Sequence, residues 1–171
     1  MGNLMKKKHF YRVVKNNIQH TKIKPDMPND RFMGLCQFAP YMTYYGKKPR
    51  QAGPILLVTP SEKPCQFYNL DKDTWLKETI AELKKYTDRK IIVREKGLRP
   101  DRIKENSVAA QCARDQIYAV VTYQSMAALE ALHYGIPAFT TAPSCVDSVV
   151  SKDLSKIEEA VYPDENKFMN L

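Results

Sequence analysis

The chain has 171 residues, 43% of them hydrophobic and 27% charged, which are typical values for a single globular domain. No apolar stretch approaches the roughly 18 residues of a membrane-spanning helix, and no apolar signal core follows the basic N-terminus, so we expect a cytoplasmic protein. The formal net charge of +8 favours polyanions or phosphorylated ligands without choosing between them.

Residues 1–52 predict an irregular basic N-terminal arm. The run Lys6-Lys7-Lys8 is typical of a solvated arm, and four prolines punctuate the segment, at Pro25, Pro28, Pro40 and Pro49. Two histidines in this arm, His9 and His20, are candidate general bases. The sequence does not show which of them acts, if either does. The four cysteines are scattered without a C-x-x-C pair, which indicates reduced thiols and not a zinc site.

Residues 53–171 predict one domain that begins with a strand, a helix and a second strand. The apolar run 55–58 is typical of a strand buried on both faces. Asp71 or Asp73 can cap a helix on which apolar residues recur at helical spacing. The β-branched run 90–94 predicts the second strand, so a right-handed parallel crossover is expected.

The same alternation continues along the chain. Residues 101–115 predict a helix with a weaker pattern, and 118–122 a third buried strand. A helix is expected from Ser125 to Tyr134, ended by Gly135 in the left-handed conformation and by Pro137, before a fourth strand at 138–141. The fold class is therefore α/β, with a Rossmann-like, mostly parallel sheet and flanking helices.

Three polar segments follow strands directly, at 59–62, 94–97 and 122–125. Because the carboxyl ends of parallel strands meet at one edge of the sheet, we expect these segments to form one rim where a ligand binds. Ser125 would cap the following helix, with the N–H groups of Met126, Ala127 and Ala128 facing an anion. Glu130 lies inside that helix and needs a partner, either ribose hydroxyls or a basic side chain.

A purely structural interpretation of these residues is also open. Serine caps helices of every function, a single glutamate on a helix is usually solvated, and Gly-x-Pro commonly ends a helix. The spacing of these residues alone therefore does not establish that they bind a nucleotide.

The string S-M-A-A-L-E-A-L-H-Y-G-I-P after Y-A-V-V-T resembles the signature of the nucleotide-sugar-binding half of GT-B glycosyltransferases. The nearest likeness is to capsular polysaccharide and Kdo-transferase-like proteins and to phage-encoded glycosyltransferases. P-S-E after the first strand and T-T-A-P-S after the last support it, and together these pieces span about residues 53–163. The resemblance implies one GT-B-like half that binds a nucleotide sugar.

The resemblance also implies roles for individual residues. Ser125, with the backbone of Met126 and Ala127, would hold phosphate, and Glu130 would contact the ribose. Arg94 and Lys96 would neutralise the leaving nucleotide, although both can also be read as surface charges. Further rim candidates are Ser61, Thr122 and Glu62, of which Glu62 is the catalytic candidate, as a base or merely a loop carboxylate.

The expected activity is transfer of a sugar from a nucleotide donor to an unknown acceptor, with no metal and no other cofactor. Residues 1–52 are too few for a full second lobe, so a partner subunit or a second copy could complete the cleft, or the arm could form a minimal wall. Alternatives are an inactive protein that binds or sequesters a nucleotide, and a basic accessory protein docked on nucleic acid through the lysines and arginine of residues 6–15.

Overall fold

A four-stranded parallel sheet lies at the centre of the part of the chain that the computed structural model describes, residues 52–95, 106–159, 162 and 168. Its strands are β1 (Ile55–Val58), β2 (Ile91–Arg94), β3 (Ala119–Thr122) and β4 (Ala138–Thr140). The predicted arm lies outside these residues except for Ala52, and so do Lys96 and residues 101–105 of the predicted helix 101–115.

Four α-helices and one 3-10 helix flank the described sheet: α1 (Glu62–Tyr68), α2 (Lys72–Leu83), α3 (Val108–Arg114), α4 (Ala127–His133) and the 3-10 helix (Leu154–Glu159). The cap of α2 is Asp71, whose carboxylate accepts a hydrogen bond from Thr74 N at 2.7 Å. Helix α1 was not predicted: its first residue, Glu62, was assigned to the rim, and residues 63–68 were assigned to no element. The fold is Rossmann-like α/β, as predicted.

The strand order is β2-β1-β3-β4, and every pairing is parallel. From β1 the chain adds β2 on one side, then crosses back to add β3 on the other side of β1. The connections therefore diverge between β1 and β3. In open α/β sheets this divergence opens a crevice outside the carboxyl ends of the two strands.

Alternate residues of the central strands supply two cores, one on each face of the sheet. Leu56 and Val120 pack with α3 and α4, whereas Leu57 and Val121 pack with α2 and the 3-10 helix. Strand β1 is fully buried along its length, in agreement with its apolar run. Strand β2 lies at the edge of the described sheet and is only partly buried.

The end of α4 is a Schellman turn at Gly135, which has a φ of 72°. Gly135 N donates to Leu132 O at 2.9 Å and Ile136 N donates to Ala131 O at 3.0 Å, which satisfies carbonyls of the last turn. The predicted left-handed glycine is confirmed. The turn leads the chain directly into β4.

No helix within the described ranges is both long enough and apolar enough to cross a membrane.

Candidate functional site

A pocket of about 170 Å³ opens at the carboxyl edge of the sheet. The ends of β1 and β2 and the first turns of α3 and α4 form its wall. Its lining residues are Val58, Arg94, Ser107, Val108, Ser125, Met126, Ala127 and Glu130. Five of them, Arg94, Ser125, Met126, Ala127 and Glu130, are site residues that the sequence predicted. The structure thus brings together residues that lie on two separate strand ends.

Arg94 supplies the positive charge of the pocket. It is the last residue of β2, and its half-buried side chain extends to the start of α3. There Nη1 donates to Gln111 Oε1 at 2.5 Å and Nη2 donates to the carbonyl of Asn106. A guanidinium carries five N–H donors, so these two contacts fix its position and leave donors for an anion.

Glu130 finds a partner that the sequence did not suggest. Its Oε1 accepts a hydrogen bond from the backbone N–H of Ala109, in the first turn of α3, at 3.1 Å. Ser107 caps the same turn, because its Oγ accepts from Ala110 N at 3.0 Å. The carboxylate therefore joins α4 to the N-terminus of α3 across the pocket. Its second oxygen has no hydrogen bond within the described residues.

The turn before α4 uses its own donors. Ser125 Oγ accepts from Ala127 N at 3.2 Å, and the carbonyl of Ser125 accepts from Ala128 N at 3.1 Å. Met126 is the N-cap residue, so the helix begins two residues later than expected. Two of the three N–H groups that we expected to face an anion are already bonded, because the turn closes on Ser125 itself. Anion binding here would depend more on Arg94 and on the serine hydroxyls.

Three other predicted site residues do not line the pocket. Thr122 is fully buried, and its hydroxyl donates to the carbonyl of Val58 at 3.0 Å, so it ties β3 to β1. Ser61 precedes α1 as its N-cap residue, and Glu62 is exposed in the first turn of that helix. A role for these residues, and for Lys96 outside the described range, stays a prediction.

Ser107, which lines the pocket, and Gln111, which accepts a hydrogen bond from Arg94, were not predicted from the sequence. The helix was expected to start near residue 101, which hid the N-cap position. The signal was available, since a serine directly before the first apolar residue of a helical pattern, here Val108, is typical of a cap. Gln111 could not be found this way, because its contact with Arg94 depends on how α3 lies against β2.

The described residues contain no group of three or more metal-binding side chains placed to hold an ion. An Asp-x-Asp pair, a sequence that can bind a Mg²⁺-bridged diphosphate, does stand at Asp71 and Asp73. The structure assigns one of the two to the backbone, because Asp71 caps α2. Hydrogen bonds from the Thr74 side chain and then from its backbone N–H are the main reasons why the pKa of Asp71 is lowered.

No family model and no curated protein matches the chain. Among solved structures, a likeness is found to KpsC, the beta Kdo 2,4 transferase of Thermosulfurimonas dismutans, with 14% sequence identity and a TM-score of 0.47. The match covers 83% of this chain and 53% of that one, so the chain corresponds to about half of the transferase. A likeness of this strength says nothing about the reaction, and the function has to be argued from the pocket.

Proposed function

We propose that this chain is a glycosyltransferase-like protein that binds a nucleotide-activated sugar in the pocket at the carboxyl edge of its sheet. The observation that carries the proposal is the convergence of Arg94, Ser125 and Glu130 on one pocket beside the point where the strand connections diverge. In parallel α/β sheets this is where phosphorylated ligands bind. The sequence signature quoted above supports the same class of ligand.

The chemistry of the pocket suits the phosphate of such a donor. In sugar transfer the bond from the anomeric carbon to the phosphate oxygen breaks, and the phosphate leaves with the electron pair. Arg94 would stabilise that developing charge through charge-assisted hydrogen bonds. The hydroxyls of Ser107 and Ser125 line the same pocket, and the second oxygen of Glu130 would accept from a ribose hydroxyl.

Titration calorimetry with CMP-, UDP-, GDP- and TDP-sugars tests the proposal. We expect one donor class to bind, and Arg94→Met to weaken it by roughly 10- to 100-fold, because a hydrogen bond to a charged group is lost. Arg114→Met is the matched control, since Arg114 lies at the far end of α3 and pairs with Asp115. Absence of heat with every donor, or equal binding by the Arg94 and Arg114 variants, would refute the proposal.

A second candidate function is binding of the nucleotide without transfer. The placement of Glu62 favours it, because the predicted base is exposed and does not line the pocket. Transfer also requires an acceptor site, which the N-terminal arm, a partner subunit or a second copy could supply. Product analysis separates the two functions, since release or transfer of sugar from the bound donor occurs only in the enzyme.

The remaining expectations stay predictions. They are a cytoplasmic location, an unknown acceptor, the absence of a metal or further cofactor, and the minority alternative of docking on nucleic acid. The last predicts retention on DNA that falls steeply with salt, because it depends on displaced counterions.

A further inference from the structure

A group of aromatic rings lies beside the same strand ends, on the sheet face opposite α3 and α4. The Tyr123 ring is 6.0 Å from that of Tyr68 and 6.1 Å from that of Trp75, and the Phe67 ring is 4.8 Å from that of Tyr68. All three contacts are edge-on. We call Phe67, Tyr68 and Tyr123 the aromatic group.

The aromatic group adjoins the pocket through the segment after β3. Tyr123 follows the strand directly, and Ser125, which lines the pocket, comes two residues later, so their Cα atoms are at most about 7 Å apart. Tyr123 packs against the core on the α2 face, whereas the pocket is lined from the α3 and α4 face. The two features therefore lie on opposite faces of the sheet, next to the same carboxyl strand ends.

The residue between them is a second sign of a ligand. Gln124 is only 2% exposed, and neither its amide nitrogen nor its amide oxygen has a hydrogen-bond partner within the described residues. A buried amide without partners costs free energy, so such groups usually bind water or a ligand. Water or a polar ligand that enters beside Gln124 would supply that partner.

The third observation is that α1 is not held by a core. None of its residues is buried, and Phe67 near its end is 56% exposed. A single exposed phenylalanine is unremarkable, but this one ends a row of rings that runs to Tyr123, two residues before the pocket residue Ser125. The ring of Phe67 therefore has free surface on which a planar or apolar face could stack.

We propose that the aromatic group binds the ring-bearing part, base or sugar, of a ligand whose phosphate occupies the pocket at Arg94. The inference rests on the proposed function and adds a second binding surface to it. Arg94 and the serines would hold the charged end. The ring end would extend across the carboxyl ends of β1 and β3 and stack on Phe67 and Tyr68.

Binding of pyrophosphate, of CMP, UDP, GDP and TDP, and of glucose 1-phosphate to wild type and Phe67→Ala tests this inference. We expect Phe67→Ala to weaken the ring-bearing ligands by roughly 5- to 150-fold, the range for loss of one stacking contact, and to leave pyrophosphate unchanged. Loss with the nucleotides alone assigns a base to the aromatic group, and loss with the sugar phosphate alone assigns a sugar.

Tyr134→Ala is the matched control. Tyr134 is also an exposed ring, at 47%, with an edge-on contact to the adjacent His133, but it follows α4 at the opposite end from the pocket. The Tyr134→Ala variant should bind every probe as wild type does. Emission from Trp75, the sole tryptophan of the chain, gives an independent readout, since its ring touches Tyr123.

The outcomes separate this inference from the proposed function. If Phe67→Ala binds all ring-bearing probes like wild type while Arg94→Met loses pyrophosphate, the aromatic site is wrong and the pocket stands. Weaker pyrophosphate binding by Phe67→Ala would also overturn it, because the effect would then act through the pocket. If wild type binds none of the probes, both proposals fail.

Discussion

Glu130 shows how one carboxylate can serve the fold at a place where a ligand was expected to engage it. Its hydrogen bond to Ala109 N caps α3 from another helix. We predict that Glu130→Ala lowers the free energy of unfolding by about 1 kcal/mol, the typical cost of a lost cap. Glu130→Gln should lose less stability, because the amide oxygen of glutamine can still accept the hydrogen bond from Ala109 N. Urea unfolding followed by circular dichroism measures both.

The control for that prediction is Glu78→Ala, which removes an exposed glutamate from α2. It should change the unfolding free energy by less than about 0.5 kcal/mol. If Glu130→Ala is as stable as this control, the contact with Ala109 does not stabilise α3.

The ion pair of Arg89 and Glu158 predicts a pH dependence. Arg89 Nε donates to both carboxylate oxygens of Glu158, at 2.9 and 3.0 Å, and its guanidinium lies 3.7 Å from the centroid of the Tyr118 ring. The hydrogen bonds from Arg89, followed by one from Thr87, lower the pKa of Glu158 below its ordinary value of 4.5. A lowered pKa in the folded state stabilises the fold above the unfolded value, and this stability is lost as pH falls.

Glu158→Gln should therefore unfold at a lower urea concentration than wild type at pH 7, and the difference should shrink as pH falls below about 4.5. The carboxylate side chain is 42% exposed, so solvent screening keeps the expected effect below about 1 kcal/mol. Glu159→Gln, at the exposed neighbouring position, should show no such closing gap. A difference that stays constant from pH 7 to pH 3 would contradict the assignment.

At the level of single residues, the sequence predicts which residues line the pocket better than it predicts the hydrogen bonds between them. Arg94 and Ser125 could be grouped because each lies at or just after the end of a strand, and strand ends of a parallel sheet share an edge. Glu130 was added as a carboxylate inside the helix that follows Ser125. The hydrogen-bond partners of Arg94 and Glu130 on α3, Gln111 and Ala109, could not be predicted. The position of that helix depends on packing between elements that are distant in sequence.

Among the elements, α4 depends on close approach to the sheet. Ala128 and Ala131 are fully buried against the core that includes Val120 and Ala138. We predict that Ala131→Leu destabilises the protein by roughly 1–3 kcal/mol, because a larger side chain forces the helix off the sheet. Thermal unfolding followed by circular dichroism would show this as a lower Tm.

Ala113→Leu makes the same change at an exposed position of α3 and should leave the Tm within about 2 °C of wild type. Equal behaviour of the two variants would mean that α4 does not lie closely on the sheet.

Helix prediction succeeded where local signals agreed and failed where they conflicted. Helix α2 has a capping aspartate, apolar residues at helical spacing and 12 residues, so its existence followed from the sequence. Helix α1 has seven residues, no buried side chain and Pro64 in its first turn, so no apolar periodicity marks it. Its proline is compatible with a helix start, which a pattern search for apolar faces does not detect.

For the whole molecule, the alternation of strands and helices predicts a parallel sheet but not its order. The order β2-β1-β3-β4 depends on the side of β1 on which each later strand pairs. The sequences of β2 and β3 do not predict that side. The two edge strands differ in burial: β2 is only partly buried, whereas β4 is buried throughout and is bridged to Ser151 at Phe139. The burial of an edge strand therefore depends on what covers it, which can be read only once the sheet is assembled.

The shared sheet predicts that both faces unfold as one unit. Leu56 and Leu57 are adjacent and fully buried, yet they belong to the cores on opposite faces. Trp75 reports on one face, where its Nε1 donates to Thr141 Oγ1 at 2.9 Å. We predict that Leu56→Ala and Leu57→Ala each cost about 2–5 kcal/mol and each shift the Trp75 fluorescence and the circular dichroism transitions together. If Leu56→Ala shifted the circular dichroism transition but left that of Trp75 in place, the two layers would be independent, because a cooperative sheet transmits the loss on either face to both.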